Sequence, residues 1–141
     1  MTTILDAGPL VSVGSTRGEQ ALRFREAIKR ASRPLIIPAP VTAEVDYMLQ
    51  KAAGAGAALR FIEDISAGLF EVECIEPAEY ATILELSRRY GNLAPGLADL
   101  SIVVLAHRFR THRILTIDQR HFRAMVALDG KPFTLLPWDE R

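Results

Sequence analysis

Apolar positions along this chain fall into two alternating patterns. Short continuous runs occur at Thr2–Leu5, at Leu35-Ile36-Ile37 between Pro34 and Pro38, at Phe70–Ile75, at Ile114–Ile117 and at Phe133–Leu136. Such runs suit strands of a sheet that is covered on both faces. Between them, apolar residues recur at helical spacing. The spacing predicts a helix over Arg17–Ser32, with Leu22, Ala27 and Ile28 inward and Arg23, Arg25, Glu26, Lys29 and Arg30 toward water. It predicts another from about Thr42, built on Val41, Val45, Met48, Leu49 and Ala52. The Gly/Ala stretch Ala53–Ala58 breaks or bends that helix, and a further one runs through Leu59, Ile62, Ile65 and Leu69. Glu76–Tyr90 reads as a helix with Pro77 near its start and Tyr80, Ile83, Leu84 and Leu86 inward, and Gly91–Gly96 reads as a loop. Asp99–Arg110 is apolar on nearly every side, which predicts deep burial. Pro9 suits the first position of a helical turn after Asp6, and a short helix is expected from Asp118.

Strands alternating with helices imply an α/β fold with a mainly parallel sheet, in one domain over residues 1–141. Ligands of such sheets bind outside the carboxyl ends of the strands. Asp6 and Asp118 stand directly after predicted strands, and Asp99 opens the apolar helix. At 100° per residue, Glu44 lies roughly 85° from the centre of its helix's apolar stripe, and Asp46 roughly 115° away on the other side. Glu44 is thus placed to look into a cleft, whereas Asp46 is expected in solvent. Each acid also has a plainer role open to it: a helix N-cap for Asp6, Asp99 and Asp118, and an ordinary surface position for Glu44. Brought together, the four would line a cup of oxygens suited to Mg²⁺ or Mn²⁺. Crowded carboxylates repel, so proximity and cation binding go together. Thr116, two residues before Asp118 on the same strand side, is placed to support the cluster through its hydroxyl.

Charge and cysteine content narrow the picture. Lys plus Arg and Asp plus Glu are 17 each, and the pI is 6.8. A nucleic-acid partner would therefore be met by a local patch rather than by a global field. Arg88, Arg89, Arg108, Arg110, Arg113, Arg120 and Arg123 supply cations in the second half, and Arg120 and Arg123, just past Asp118, are the foremost candidates for contacting an RNA backbone. Cys74 is the single cysteine. It cannot form an internal disulfide and is expected as a buried small hydrophobe, which fits a reducing compartment. The N-terminus lacks a signal-peptide pattern, and no apolar stretch reaches the roughly 20 residues of a membrane span. These features give a cytoplasmic expectation. His107, His112 and His121 show no zinc-type spacing, and structural or surface roles are expected for them.

The ordered set is Ile4-Leu5-Asp6-Ala-Gly-Pro-Leu10, Thr42-Ala-Glu44-Val, Leu97-Ala-Asp99-Leu-Ser-Ile and Ile114-Leu-Thr116-Ile-Asp118-Gln-Arg-His-Phe122. This set resembles PIN-domain proteins, in particular the VapC-like toxins of bacterial and archaeal toxin–antitoxin pairs. The resemblance covers essentially the whole chain. It implies a three-layer α/β/α sandwich with a Rossmann-like sheet, and a metal-dependent ribonuclease activity. It also implies that Asp6, Glu44, Asp99 and Asp118 form a catalytic quartet holding Mg²⁺ or Mn²⁺, with Thr116 beside them. The partners it implies are an RNA substrate, a cognate antitoxin and a second copy of the chain. Some members carry a further acid after the fourth, where this chain has Gln119-Arg120-His121. A non-catalytic binding module of the same fold is the alternative. A dehalogenase-type phosphatase would need a second Asp where Gly8 stands. A receiver domain would need paired acids after the first strand and a Lys after the last.

Overall fold

Each short apolar run pairs with a neighbour to form one five-stranded sheet. The computed structural model describes residues 1–140. In chain order the elements are β1 (Thr3–Leu5), α1 (Ala7–Ser15), α2 (Glu19–Arg30), β2 (Leu35–Pro38), α3 (Ala39–Ala53), α4 (Ala55–Ser66), β3 (Glu71–Glu73), α5 (Pro77–Arg89), α6 (Leu97–Arg108), β4 (Arg113–Leu115), α7 (Arg120–Ala124) and β5 (Thr134–Leu136). The strand order is β3-β2-β1-β4-β5, and every pair is parallel. The chain winds from β1 out through β2 to β3, then returns to lay β4 and β5 on the opposite side. The strand order therefore reverses between β1 and β4, where α/β sheets open a crevice for ligands. Successive strand residues face opposite sides of a sheet. Ile4 and Leu5, Ile36 and Ile37, and Ile114 and Leu115 are all fully buried, so both faces are covered and the fold is α/β/α.

α6 is the helix that the sheet is built around. Its residues Leu100 to Ala106 are all buried, and it packs on β1, β2 and β4. Its last turn is fastened outward by Arg108. That guanidinium donates to both oxygens of Glu79 and, at 2.7 Å, to the carbonyl of Cys74. Arg108 is thus a clamp across three elements rather than a solvated helix-face cation. At the other layer, α1 and α3 approach closely because Gly14 has no side chain. A Cβ there would stand 2.7 Å from Leu49 Cδ2.

Several expectations change. The amphipathic helix after residue 17 turns Ala21, Phe24 and Ala27 inward, while Leu22 is 55% exposed. Phe24 shares the stripe of Ala21 and Ala27, with Leu22 on nearly the opposite side, and its ring meets Trp138 edge-on at 6.1 Å between centroids. On α4 the buried face is Ala57, Ala58 and Phe61, leaving Leu59 and Ile62 exposed. Tyr80 and Leu84 of α5 and Met48 of α3 are exposed as well. Cys74 lies past the end of β3 and is exposed, not buried. β3 is an edge strand, so nothing covers its far side. α6 starts at Leu97, which puts Asp99 inside the first turn rather than at the N-cap. α7 starts at Arg120, so Asp118 precedes the helix by two residues. Asp46 is half-buried and accepts from Gln50 at 3.0 Å. No helix among the described residues is long and apolar enough to cross a membrane.

The exchange of Phe24 for Leu22 makes a stability contrast. Phe24→Ala is expected to cost about 3–5 kcal/mol, and Leu22→Ala about 0.5 kcal/mol or less. Urea unfolding midpoints check this; equal losses would contradict the inward face described here.

Candidate functional site

The strand-order reversal sets the site. Parallel pairing continues one residue past β1, where the Asp6 amide donates to the Leu115 carbonyl at 2.9 Å. This places Asp6 beside the end of β4. Its carboxylate is held at both oxygens: Oδ1 accepts from the Ala7 amide and Oδ2 from the Thr116 hydroxyl, each at 2.8 Å. Thr116 is fully buried. Its amide donates to Leu136 at 3.2 Å and its carbonyl accepts from the Trp138 indole at 2.9 Å, so β5 and the C-terminal turn fix its position. Asp118 follows two residues later, and its Oδ1 accepts from the Arg120 amide at 2.8 Å. Asp99 projects from the first turn of the buried α6, and Glu44 from α3, beside the exposed Met48.

All four acids line one cavity of about 420 Å³, together with Ala7, Gly8, Met48, Gly96, Ala98, Ile117 and His121. Gly8 keeps the floor open, since a Cβ would sit 3.2 Å from Ile117. The carboxylates feel one another. Burial pushes the Asp6 carboxyl up, and the charges of Asp99 and Asp118 add to it against the Thr116 and Ala7 hydrogen bonds. Burial likewise raises Glu44, with Asp6 and Asp99 adding to it. The donor set is oxygen only, the chemistry that hard divalent cations take. The acids do not already close on a point: among the described residues no three His, Cys, Asp or Glu side chains are grouped tightly enough to grip an ion. Glu44 stands at the cavity rim with no hydrogen bond on its carboxyl, and Asp118 is held at one oxygen only, so the set fits a divalent cation in chemistry while remaining open in geometry. A larger groove, about 680 Å³ and bounded by residues of α1 to α4, has one carboxylate, Asp64, among its lining residues and gathers no comparable set.

The profile of the PIN domain matches residues 3–127. The chain belongs to the PIN-domain family. The sequence is 31% identical over 134 residues to Ribonuclease VapC26 of Mycobacterium tuberculosis (strain ATCC 25618 / H37Rv), covering 95% of this chain and 99% of that protein. Two solved structures share the PIN fold. One is M. tuberculosis VapC20, a toxin that cleaves the sarcin–ricin loop, with TM-score 0.75 and 12% identity over 82% of this chain and 89% of that one. The other is VapBC2 of Rickettsia felis bound to a DNA fragment from its promoter, with TM-score 0.66 and 15% identity over 96% of this chain and 98% of that one.

Asp6, Glu44, Asp99 and Asp118, the acids that the resemblance singles out, thus share this PIN-domain cavity, with Thr116 bonded to the first of them. Arg120 is exposed beside Asp118. Arg123 is differently occupied: it grips both oxygens of Asp139 at 2.9 and 2.7 Å, and Asp139 in turn accepts from the Leu135 amide. It ties α7 to the end of β5, so a phosphate would have to compete with Asp139 for it. His121 was expected on the surface or in a structural role; instead its Nδ1 stands 2.6 Å from Asp99 Oδ2 at the cavity wall. The two are 22 residues apart, so no local spacing marks the pair.

The raised Glu44 carboxyl gives a pH test. Its folded value lies above the ordinary 4.5. The folded chain therefore binds this proton more tightly than the unfolded chain. The stabilisation is complete below pH 4.5 and is lost as pH rises through the elevated value. In metal-free buffer, Glu44→Gln is expected to raise the Tm at pH 7, with the gain disappearing as pH falls below 4.5. A lower Tm for the variant at pH 7 would contradict like-charge crowding at Glu44.

Proposed function

We propose that this protein is a divalent-metal-dependent endoribonuclease that hydrolyses RNA phosphodiester bonds as the toxin of a toxin–antitoxin pair. The observation that carries the reading is the convergence of Asp6, Glu44, Asp99 and Asp118 on one cavity at the β1/β4 reversal. Similarity along 95% of the chain to a protein named as a ribonuclease supports it. Mg²⁺ or Mn²⁺ is the cofactor proposed, because both take carboxylate oxygens. The residues that would hold it are Asp6, Asp99, Glu44 and Asp118. A divalent ion bound there supplies Lewis acidity, lowers the pKa of water and offsets charge on a phosphoryl group.

The chain's own groups do the rest. Thr116 and the Ala7 amide keep Asp6 aimed from the sheet edge. Glu44 has burial and neighbouring charge, but no hydrogen bond, acting on its carboxyl. Its Oε atoms are thus free to accept the proton of an attacking water. Arg120 contacts a phosphate next to the scissile one, since it is exposed on the first residue of α7. A cognate antitoxin is the proposed protein partner and the cytoplasm the proposed location. Leu59 and Ile62, three residues apart on α4, stand 58% and 51% exposed and could be covered by such a partner.

Asp99→Asn keeps the size of the side chain and removes its charge. It is expected to reduce Mn²⁺-dependent cleavage of a fluorescent RNA by more than the roughly 10–100-fold typical for losing an outer hydrogen-bond partner. Wild-type protein that binds the RNA but leaves it intact as Mg²⁺ or Mn²⁺ is added would favour a binding module. A second expectation concerns Arg120. Arg120→Ala should weaken RNA binding and lower the slope of log affinity against log salt by about one. An unchanged slope removes Arg120 from the interface.

A further inference from the structure

We infer that His121 is a positioning residue for the metal site: its Nδ1–H holds Asp99 Oδ2, so that the remaining oxygen of Asp99 is presented to the cavity for a divalent ion. This rests on the metal-dependent reading above and adds to it a residue outside the acidic quartet.

The separation is 2.6 Å, and each side chain is only 21% exposed. An ionised carboxylate can only accept, so Nδ1 is the donor and carries the hydrogen. Asp99 Oδ1 makes no protein hydrogen bond among the described residues, while Asp99 and His121 both line the cavity. Both ends of the bond are mounted on core. Asp99 leaves the first turn of α6, whose following residues Leu100 to Ala106 are buried. His121 sits on α7, where Phe122 is 3% exposed and packs edge-on against Phe133, with 6.0 Å between centroids. Met125, buried one turn on, donates its amide to the His121 carbonyl at 3.0 Å. The imidazole therefore cannot swing out with a loose loop.

An aspartate beside three other carboxylates is pushed by its neighbours to rotate away from them. A single donor on Oδ2 opposes that rotation and leaves Oδ1 without a protein partner. Thr116 serves Asp6 in the same manner, at 2.8 Å. The two side-chain donors come from the segment that ends β4 and begins α7. That one stretch of chain therefore aims the first and third acids while contributing the fourth.

The test is isothermal titration of the purified full-length protein with Mn²⁺ alone, with circular dichroism to verify folding. His121→Leu is expected to weaken Mn²⁺ binding by about 10–100-fold and to raise the Mn²⁺ concentration for half-maximal RNA cleavage by the same factor. His121→Asn puts an amide N–H near the place of Nδ1–H and is expected to restore the affinity to within about threefold. Should leucine unfold the chain, His121→Gln replaces it: its amide lies one methylene too far and is expected to bind Mn²⁺ as weakly. A folded His121→Leu with wild-type Mn²⁺ affinity would overturn the inference. So would an Asn variant as weak as the Leu variant, which would assign the effect to ring packing. Asp99→Asn is the control. If it too left Mn²⁺ affinity unchanged, the metal-site reading would fall and the role of His121 with it. If Asp99→Asn lost binding while the His121 variants did not, the positioning role alone would fall.

Discussion

Repulsion among carboxylates at the β1/β4 reversal is the constraint that the rest of the molecule answers. Like charges that share a partly desolvated cavity raise the cost of ionising one another. Here burial adds to that opposition, most strongly at Asp6, which the sheet pairing leaves no room to withdraw. The surroundings offset it with donors: the Ala7 and Arg120 amides, the Thr116 hydroxyl and the His121 imidazole. Each fixes an oxygen without neutralising the set. What remains is a cavity lined by four carboxylates, the oxygen donor set proposed above for a divalent cation.

The architecture carries these groups on rigid supports. Asp6 is the continuation of a fully buried strand, Asp99 leaves a helix sunk in the core, and Thr116 is held by β5 and Trp138. Glu44 arrives from a second layer, and its distance from Asp6 depends on how closely α3 and α1 pack. Gly14 sets that approach by leaving space for Leu49. Arg123 and Asp139 fasten α7 to β5 on the far side, so the segment bearing Asp118 and His121 is stapled at both ends. Asp6 and Asp99 are thereby held on rigid supports, while Glu44 and Asp118 keep oxygens without side-chain partners.

The central strands and the α/β class could be read from the sequence because buried parallel strands are short continuous apolar runs bounded by breakers, whereas the equally apolar run of α6 is longer. Asp6 was legible as both cap and site residue because a strand ending in Asp before Ala-Gly-Pro leaves few places for it. Helical geometry placed Glu44 at the edge of its helix's apolar stripe, and the family resemblance joined it to the other acids. The inward faces of α2 and α4 were misread. On α2 the helical period itself favours Phe24, which stands three residues from Ala21 and Ala27 and four from Ile28, whereas Leu22 lies on nearly the opposite side. Leu59 and Ile62 form a regular stripe that the fold leaves outside, because the small Ala57 and Ala58 allow the closer approach. Cys74 was misplaced because an apolar run does not say whether its strand is central or at the edge. The partners of Arg123 and His121 were not legible for one shared reason: Asp139 and Asp99 cannot be connected to them by sequence spacing.

Anomalous diffraction from crystals soaked in Mn²⁺ tests the central claim most directly. The account predicts a strong peak in the cavity, bonded to carboxylate oxygens from at least three of Asp6, Glu44, Asp99 and Asp118, with the His121–Asp99 bond intact. An ordered Mn²⁺ elsewhere on the protein, with this cavity empty and RNA cleavage still requiring the metal, would contradict it.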